Sequence, residues 1–152
     1  MKKPDPSPAD ENAPPMAETL ARATAAVARL AAEYPVLALR ELGRCQDLLD
    51  TIRAGTAARE AQYKALFAIA HDLKGQGGSF GYPLATRVAE SLCRLLRGPG
   101  ATTADPELVQ SHLDTLALIY RKNIAGDGGE TGQRLAKRLE SLVQEHFDSR
   151  PA

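Results

Sequence analysis

The chain has no tryptophan, and aromatic side chains of any kind make up only 5% of its 152 residues. Alanine and leucine supply most of an apolar content of 43%, a balance that favours helices over strands. Charge of one sign is also missing. Nineteen Lys and Arg against nineteen Asp and Glu leave a formal net charge of zero, so there is no global field to draw nucleic acid or an anionic membrane. Cysteine is limited to Cys45 and Cys93, both inside apolar helical patterns and without CxxC spacing. That argues against a disulfide and for reduced thiols in the cytoplasm. No apolar run approaches the roughly 20 residues of a membrane span. Met1–Pro15 has lysines but no apolar segment after them, unlike a signal peptide.

What is present reads as helices broken by glycine and proline. Residues 1–15 carry Pro4, Pro6, Pro8, Pro14 and Pro15 among small and acidic residues, and are expected to be a disordered tail. The remainder, 16–148, is expected to form a single helical domain. A first helix is predicted over about Ala17–Glu33, with Leu20, Ala23, Val27, Leu30 and Tyr34 as its stripe. Pro35 suits the start of a second, running to about Ala54 with Leu39, Leu42, Cys45, Leu49 and Ile52 inward. Gly55 closes it, and Thr56 is a candidate N-cap for a third helix, Ala57–Phe80. Gly81-Tyr82-Pro83 breaks the chain before a helix over Leu84–Leu96. After Gly98-Pro99-Gly100 comes a helix over Pro106–Ile124, and after Gly126–Gly129 a last one over Glu130–Phe147. No strand signal and no fixed-period repeat is found. The fold class expected is all-α, an antiparallel up-and-down four-helix bundle with flanking helices.

The third helix holds the most informative stretch, Ala70-His71-Asp72-Leu73-Lys74-Gly75-Gln76-Gly77-Gly78-Ser79-Phe80-Gly81. Tyr63, Leu66, Ile69, Ala70, Leu73 and Phe80 form its apolar stripe. Glycine inside a helix costs roughly 0.5–1 kcal/mol against alanine, so three in four residues need a reason. At about 100° per residue His71 lies almost opposite that stripe, with Gly75 and Gly78 within roughly 40° of it and Lys74 about 60° away. Only Gly77 leans to the apolar side. Gly75 and Gly78 therefore strip side chains from the open face beside an exposed imidazole, with one cation three residues on. Such a face suits the approach of another macromolecule.

His71-x-x-Lys74-Gly75, then small residues, then Phe80-Gly81, resembles the signature of histidine phosphotransfer (HPt) domains: histidine, apolar at plus two, lysine at plus three, glycine at plus four, small residues, and a glycine ending the helix. The resemblance extends to the helical organisation of roughly residues 16–125. It implies that His71 accepts a phosphoryl group from a phospho-aspartate on one receiver domain and passes it to another. It also implies that Lys74 neutralises the phosphoryl oxygens as a point charge, and that Gly75 and Gly78 let the receiver close over the ring. An imidazole in water titrates near pH 6.5 and is mostly a neutral nucleophile at pH 7. Phosphoryl transfer asks mainly for alignment and charge neutralisation, so no cofactor is expected in this chain; Mg²⁺ would come with the receiver. The expected partners are response-regulator receiver domains or a hybrid histidine kinase, engaged by a cytoplasmic monomer without an ATP site. Phe67, one turn before His71, together with Lys64, Arg94 and Arg97, are docking candidates. The rival expectation is a helical adaptor that binds receiver or kinase domains without being phosphorylated.

Some members of that family carry a polar side chain on the next helix that orients the histidine ring. Folding the helices back at Tyr82 brings residue 93 level with residue 71, and Cys93 fits that role poorly. Glu90, Arg94 and Arg97 fall with Arg87 on one stripe nearby. His112 sits on an apolar stripe and is expected in the core or at its boundary, while His146 is expected to be solvated and to complement its helix dipole. No histidine or cysteine pair has i, i+3 or i, i+4 spacing, so a metal site is not expected. The glycines lack the preceding strand and the GK[ST] of a phosphate loop.

Overall fold

A computed structural model describes residues 15–55, 58–97 and 104–149, and among these every regular element is helical. They are α1 (Met16–Ala54), α2 (Arg59–Ser79), α3 (Pro83–Arg97), α4 (Pro106–Arg121) and α5 (Gly129–Asp148). The expected tail, the Thr56 cap and the Gly98-Pro99-Gly100 loop fall outside the described residues, save for Pro15. Two compact units result, one ending at Glu33 and the other starting at Tyr34.

The first unit is the amino-terminal part of α1. Of the stripe named for it, Leu20, Val27 and Leu30 are exposed, as is Met16. Glu18 and Arg22 pair one turn apart at 3.5 Å. The continuity of α1 is a departure, since two helices separated at Pro35 were expected. An interior proline removes one backbone hydrogen bond and costs on the order of 3 kcal/mol. Tyr34 and Pro35 are both buried here, and that burial offsets the loss.

In the second unit the apolar stripes of all five helices meet in one core, with Leu49, Leu66, Leu73, Leu92, Leu116 and Val143 almost wholly enclosed. Polar seams fix the neighbours. Gln46 and Arg53 of α1 both reach Gln110 of α4 at 2.9 Å, and Arg53 also reaches Glu107 at 2.8 Å. The scarce aromatics are concentrated rather than spread. Tyr34 stacks on Phe80 with centroids 4.5 Å apart, Tyr82 lies 5.2 Å from Tyr120, and the Tyr34 and Tyr120 hydroxyls share a 2.8 Å hydrogen bond. The turn between α2 and α3 is tied to this cluster. Gly81 takes φ +85°, a conformation that disfavours side chains, and its carbonyl accepts from the Gly126 amide at 3.0 Å.

Helix ends follow the sequence signals with small shifts. Asp105 caps α4, its carboxylate accepting from the Glu107 amide at 3.0 Å. That helix stops at Arg121 rather than Ile124, and Asn123 turns left-handed at φ 50°. The glycines at 126, 128 and 129 then make α5 a separate helix rather than a prolongation of α4.

His112 is fully buried, as its stripe position implied. Its Nδ1 lies 2.7 Å from the Leu108 carbonyl, which can only accept, so Nδ1 carries the proton. Nε2 then accepts from the Ser91 hydroxyl at 2.8 Å, joining α4 to α3. Burial holds the imidazole below its ordinary titration range, the Leu108 bond partly opposing this. Below about pH 6.5 the unfolded chain thus takes up a proton that the folded one resists. Stability is full above that pH and is lost as pH falls. Between pH 6.5 and 5 the urea midpoint is expected to fall more steeply for the wild type than for His112→Gln, whose amide does not titrate. Parallel profiles would contradict this.

Candidate functional site

Helix α2 presents opposite faces to the core and to solvent. Tyr63, Leu66, Ile69, Ala70, Leu73 and Gly77 are buried, while His71, Asp72, Gly75, Gln76 and Gly78 are exposed. His71 stands near the middle of the helix, and among the described residues none hydrogen-bonds its ring. Beside it lies a shallow open concavity of about 360 Å³ lined by His71, Asp72, Gly75, Gln76, Ser79 and Phe80. The Phe67 ring lies 6.0 Å from the His71 ring, tilted 35°. Phe67 is half-buried against the core rather than open. It sits about 100° from Leu66 on the wheel, at the flank of the apolar face. Lys64, one turn earlier, is exposed.

The three glycines divide as the wheel suggested. A Cβ built on Gly75 meets nothing within 4 Å, and one on Gly78 meets only Thr86 Oγ1 at an ordinary 3.8 Å. A Cβ on Gly77 would sit 2.5 Å from Thr86 Oγ1 and 3.2 Å from both the Thr86 nitrogen and the Tyr82 oxygen. Gly77 is the contact at which α3 comes down on α2. Across it, Thr86 donates its hydroxyl to the Lys74 carbonyl at 3.0 Å, and the Tyr82 amide donates to the Gly77 carbonyl at 2.8 Å.

Lys74 is not free. Its ammonium lies 2.8 Å from Glu90 Oε2 of α3, and Arg97 reaches the other carboxylate oxygen of Glu90 at 2.9 Å. The Lys74 contact and then the Arg97 guanidinium hold the Glu90 carboxyl below its usual range, against partial desolvation. The stripe on α3 is therefore split. Glu90 and Arg97 belong with Lys74, whereas Arg87 and Arg94 are taken up by α5. Arg87 binds Glu140 at 2.6 and 3.0 Å and also Gln133, and Arg94 binds Gln144 and lies 5.7 Å over the Phe147 ring. The register in which residue 90 faces 74 keeps Cys93 level with His71. Burial pushes the Cys93 thiol up to about 11 and that of Cys45 to about 12, so neither is a thiolate at neutral pH.

A family model, Hpt domain, matches residues 40–145. The chain belongs to the Hpt domain family. The matched span runs from the later part of α1 into α5 and contains all of α2 and α3. Membership places the protein in His–Asp phosphorelay signalling. Among curated proteins and among solved structures, none matches this chain. Among the described residues no helix is long and apolar enough to cross a membrane, and no group of three or more His, Cys, Asp or Glu is placed to hold a metal ion.

Two features of this Hpt domain escape the helical wheel. Glu90 was visible only as one member of a charged stripe, because the wheel of one helix does not show which cation on another helix it meets. His146 was expected in solvent, yet it is half-buried, with Nε2 enclosed and without a hydrogen-bond partner among the described residues, and its ring 5.7 Å from Phe147. Its helix lies against the bundle instead of extending past it, which is what covers that ring.

The glycine geometry gives opposite expectations for one substitution. Gly75→Ala is expected to leave stability unchanged or raise it by up to about 1 kcal/mol. Gly77→Ala must displace Thr86 and is expected to cost about 1–3 kcal/mol. Equal denaturant midpoints for the two variants would contradict this division.

Proposed function

We propose that this Hpt domain is a phosphoryl carrier, with His71 as the acceptor and Lys74 as its charge partner, relaying phosphate between receiver-domain aspartates. The observation that carries the reading is an exposed imidazole that no described residue hydrogen-bonds, flanked by bare backbone at Gly75 and Gly78. In the accepting step the lone pair of one ring nitrogen of neutral His71 forms the N–P bond. The O–P bond of the aspartyl phosphate breaks, its electron pair staying on the aspartate carboxylate. The other ring nitrogen keeps its proton, and the reverse sequence returns the phosphoryl group. The receiver contributes its acidic pocket and Mg²⁺, which supplies charge neutralisation on the incoming phosphoryl oxygens. Lys74, one turn from His71 on the same side of α2, meets the oxygens from this chain. Gly75 and Gly78 leave room for the receiver's loops, and Lys64, Phe67 and Arg97 stand around that face as docking residues. Arg94, held by α5, is a weaker member of the set. A cytoplasmic monomer meets all these requirements.

With a phosphorylated receiver, His71→Gln is expected to abolish acid-labile, base-stable labelling while receiver binding survives. Lys74→Ala is expected to accept phosphate about tenfold more slowly, having lost one charge-assisted contact. Full binding with no labelling of the folded wild type by any receiver would instead establish an adaptor that is not phosphorylated. Normal transfer by His71→Gln would overturn the site.

Access can be separated from chemistry by the size of the donor. Gly75→Gln is expected to slow transfer from a receiver at least tenfold while leaving the reaction with the small donor phosphoramidate unchanged. Equal loss with both donors would show that residue 75 acts on the ring and not on docking.

A further inference from the structure

The geometry points to Glu90 as a positioning residue for the phosphoryl group: we propose that it holds Lys74 while His71 is unmodified and yields it when His71 is phosphorylated. The inference rests on the carrier reading above and adds to it a residue that acts on the phosphoryl group through Lys74. Lys74 Nζ is 2.8 Å from Glu90 Oε2, with the two side chains 30% and 43% exposed. A phosphoryl group on His71 brings up to two negative charges within one helical turn of the same ammonium. Glu90 and the phosphoryl oxygens then compete for one cation.

Glu90 can release Lys74 because it has a second counter-ion. Arg97 Nη2 contacts Oε1 at 2.9 Å, the oxygen that Lys74 does not use. When Lys74 swings toward the phosphoryl group, the carboxylate keeps Arg97 and is not left unpaired. Before phosphorylation the same arrangement keeps Lys74 paired with Glu90, one helical turn along α2 from His71. The unmodified state is therefore stabilised by the contact that the phosphorylated state gives up. Glu90 in this way lowers the affinity of His71 for phosphate and eases onward transfer, without taking part in either bond.

The test uses the full chain and phosphoramidate as donor, so that no particular receiver is assumed. After phosphorylation, ³¹P NMR follows the titration of the phosphoryl group on His71 in the wild type, Glu90→Gln, Lys74→Ala and the double variant. Glu90→Gln leaves Lys74 wholly available and is expected to lower the phosphoryl midpoint by about half a pH unit, the size that partly exposed ion pairs support. In the Lys74→Ala background the same substitution is expected to have less than half that effect, because only the through-space influence of the lost charge remains. Equal shifts in both backgrounds, or no shift in either, would overturn the role of Glu90 and leave the carrier reading standing. A folded wild type that takes no phosphate on His71 would remove the carrier reading and this inference together. A purely structural Glu90 would change the unfolding midpoint without moving the phosphoryl titration.

Discussion

The contact of α3 with α2 at Gly77 sets the orientation of the exposed face of the second helix. With no side chain at residue 77, Thr86 and the Tyr82 carbonyl come within reach of the α2 backbone, and Thr86 anchors on the Lys74 carbonyl. That closeness fixes the rotation and register of α2 against its neighbour. Once Gly77 faces α3, helical geometry turns His71 and Gly75 outward and leaves Lys74 at the edge, where it meets Glu90. The aromatic cluster of Tyr34, Phe80, Tyr82 and Tyr120 pins the same end of the pair. An imidazole in the open, a cation beside it and bare backbone beyond it thus follow from one missing methyl group.

Much of this was legible in the sequence because it depends on one helix. The stripe of α2, the outward His71, the difference between Gly77 and the other two glycines, and the breaks at Gly81 and Asp105-Pro106 are local periodicities and local backbone chemistry. The register of α2 on α3 could be estimated from the turn at Tyr82, and the pairing of residues 74 and 90 agrees with it. The partner of each charge was not legible. Arg87, Glu90, Arg94 and Arg97 share a stripe, yet two of them serve α5 and two serve the Lys74 side, a division made by the position of a helix more than thirty residues later.

Proline and apolar stripes misled where the surroundings of a helix outweigh its own pattern. Pro35 breaks an isolated helix, but with Tyr34 it is buried, and α1 runs through. The stripe of Leu20, Val27 and Leu30 has a core's periodicity without a core's burial. Periodicity shows that a face is apolar, not that something within the chain covers it. His146 errs in the other direction, a polar residue near a helix end that the packing of α5 encloses.

The proposed carrier role needs one of the three histidines to be open to a phosphoryl donor. His112 is sealed in the core with both nitrogens engaged, His146 is half-enclosed, and His71 alone stands exposed with its ring free of hydrogen bonds among the described residues. Locating the phosphate by tandem mass spectrometry of peptides prepared at alkaline pH tests this most directly, after the wild-type protein has reacted with a phosphorylated receiver. A single N–P bond is expected on the peptide containing His71, with His112 and His146 unmodified. Phosphate on either of the other histidines, with His71 unmodified in the folded protein, would contradict it.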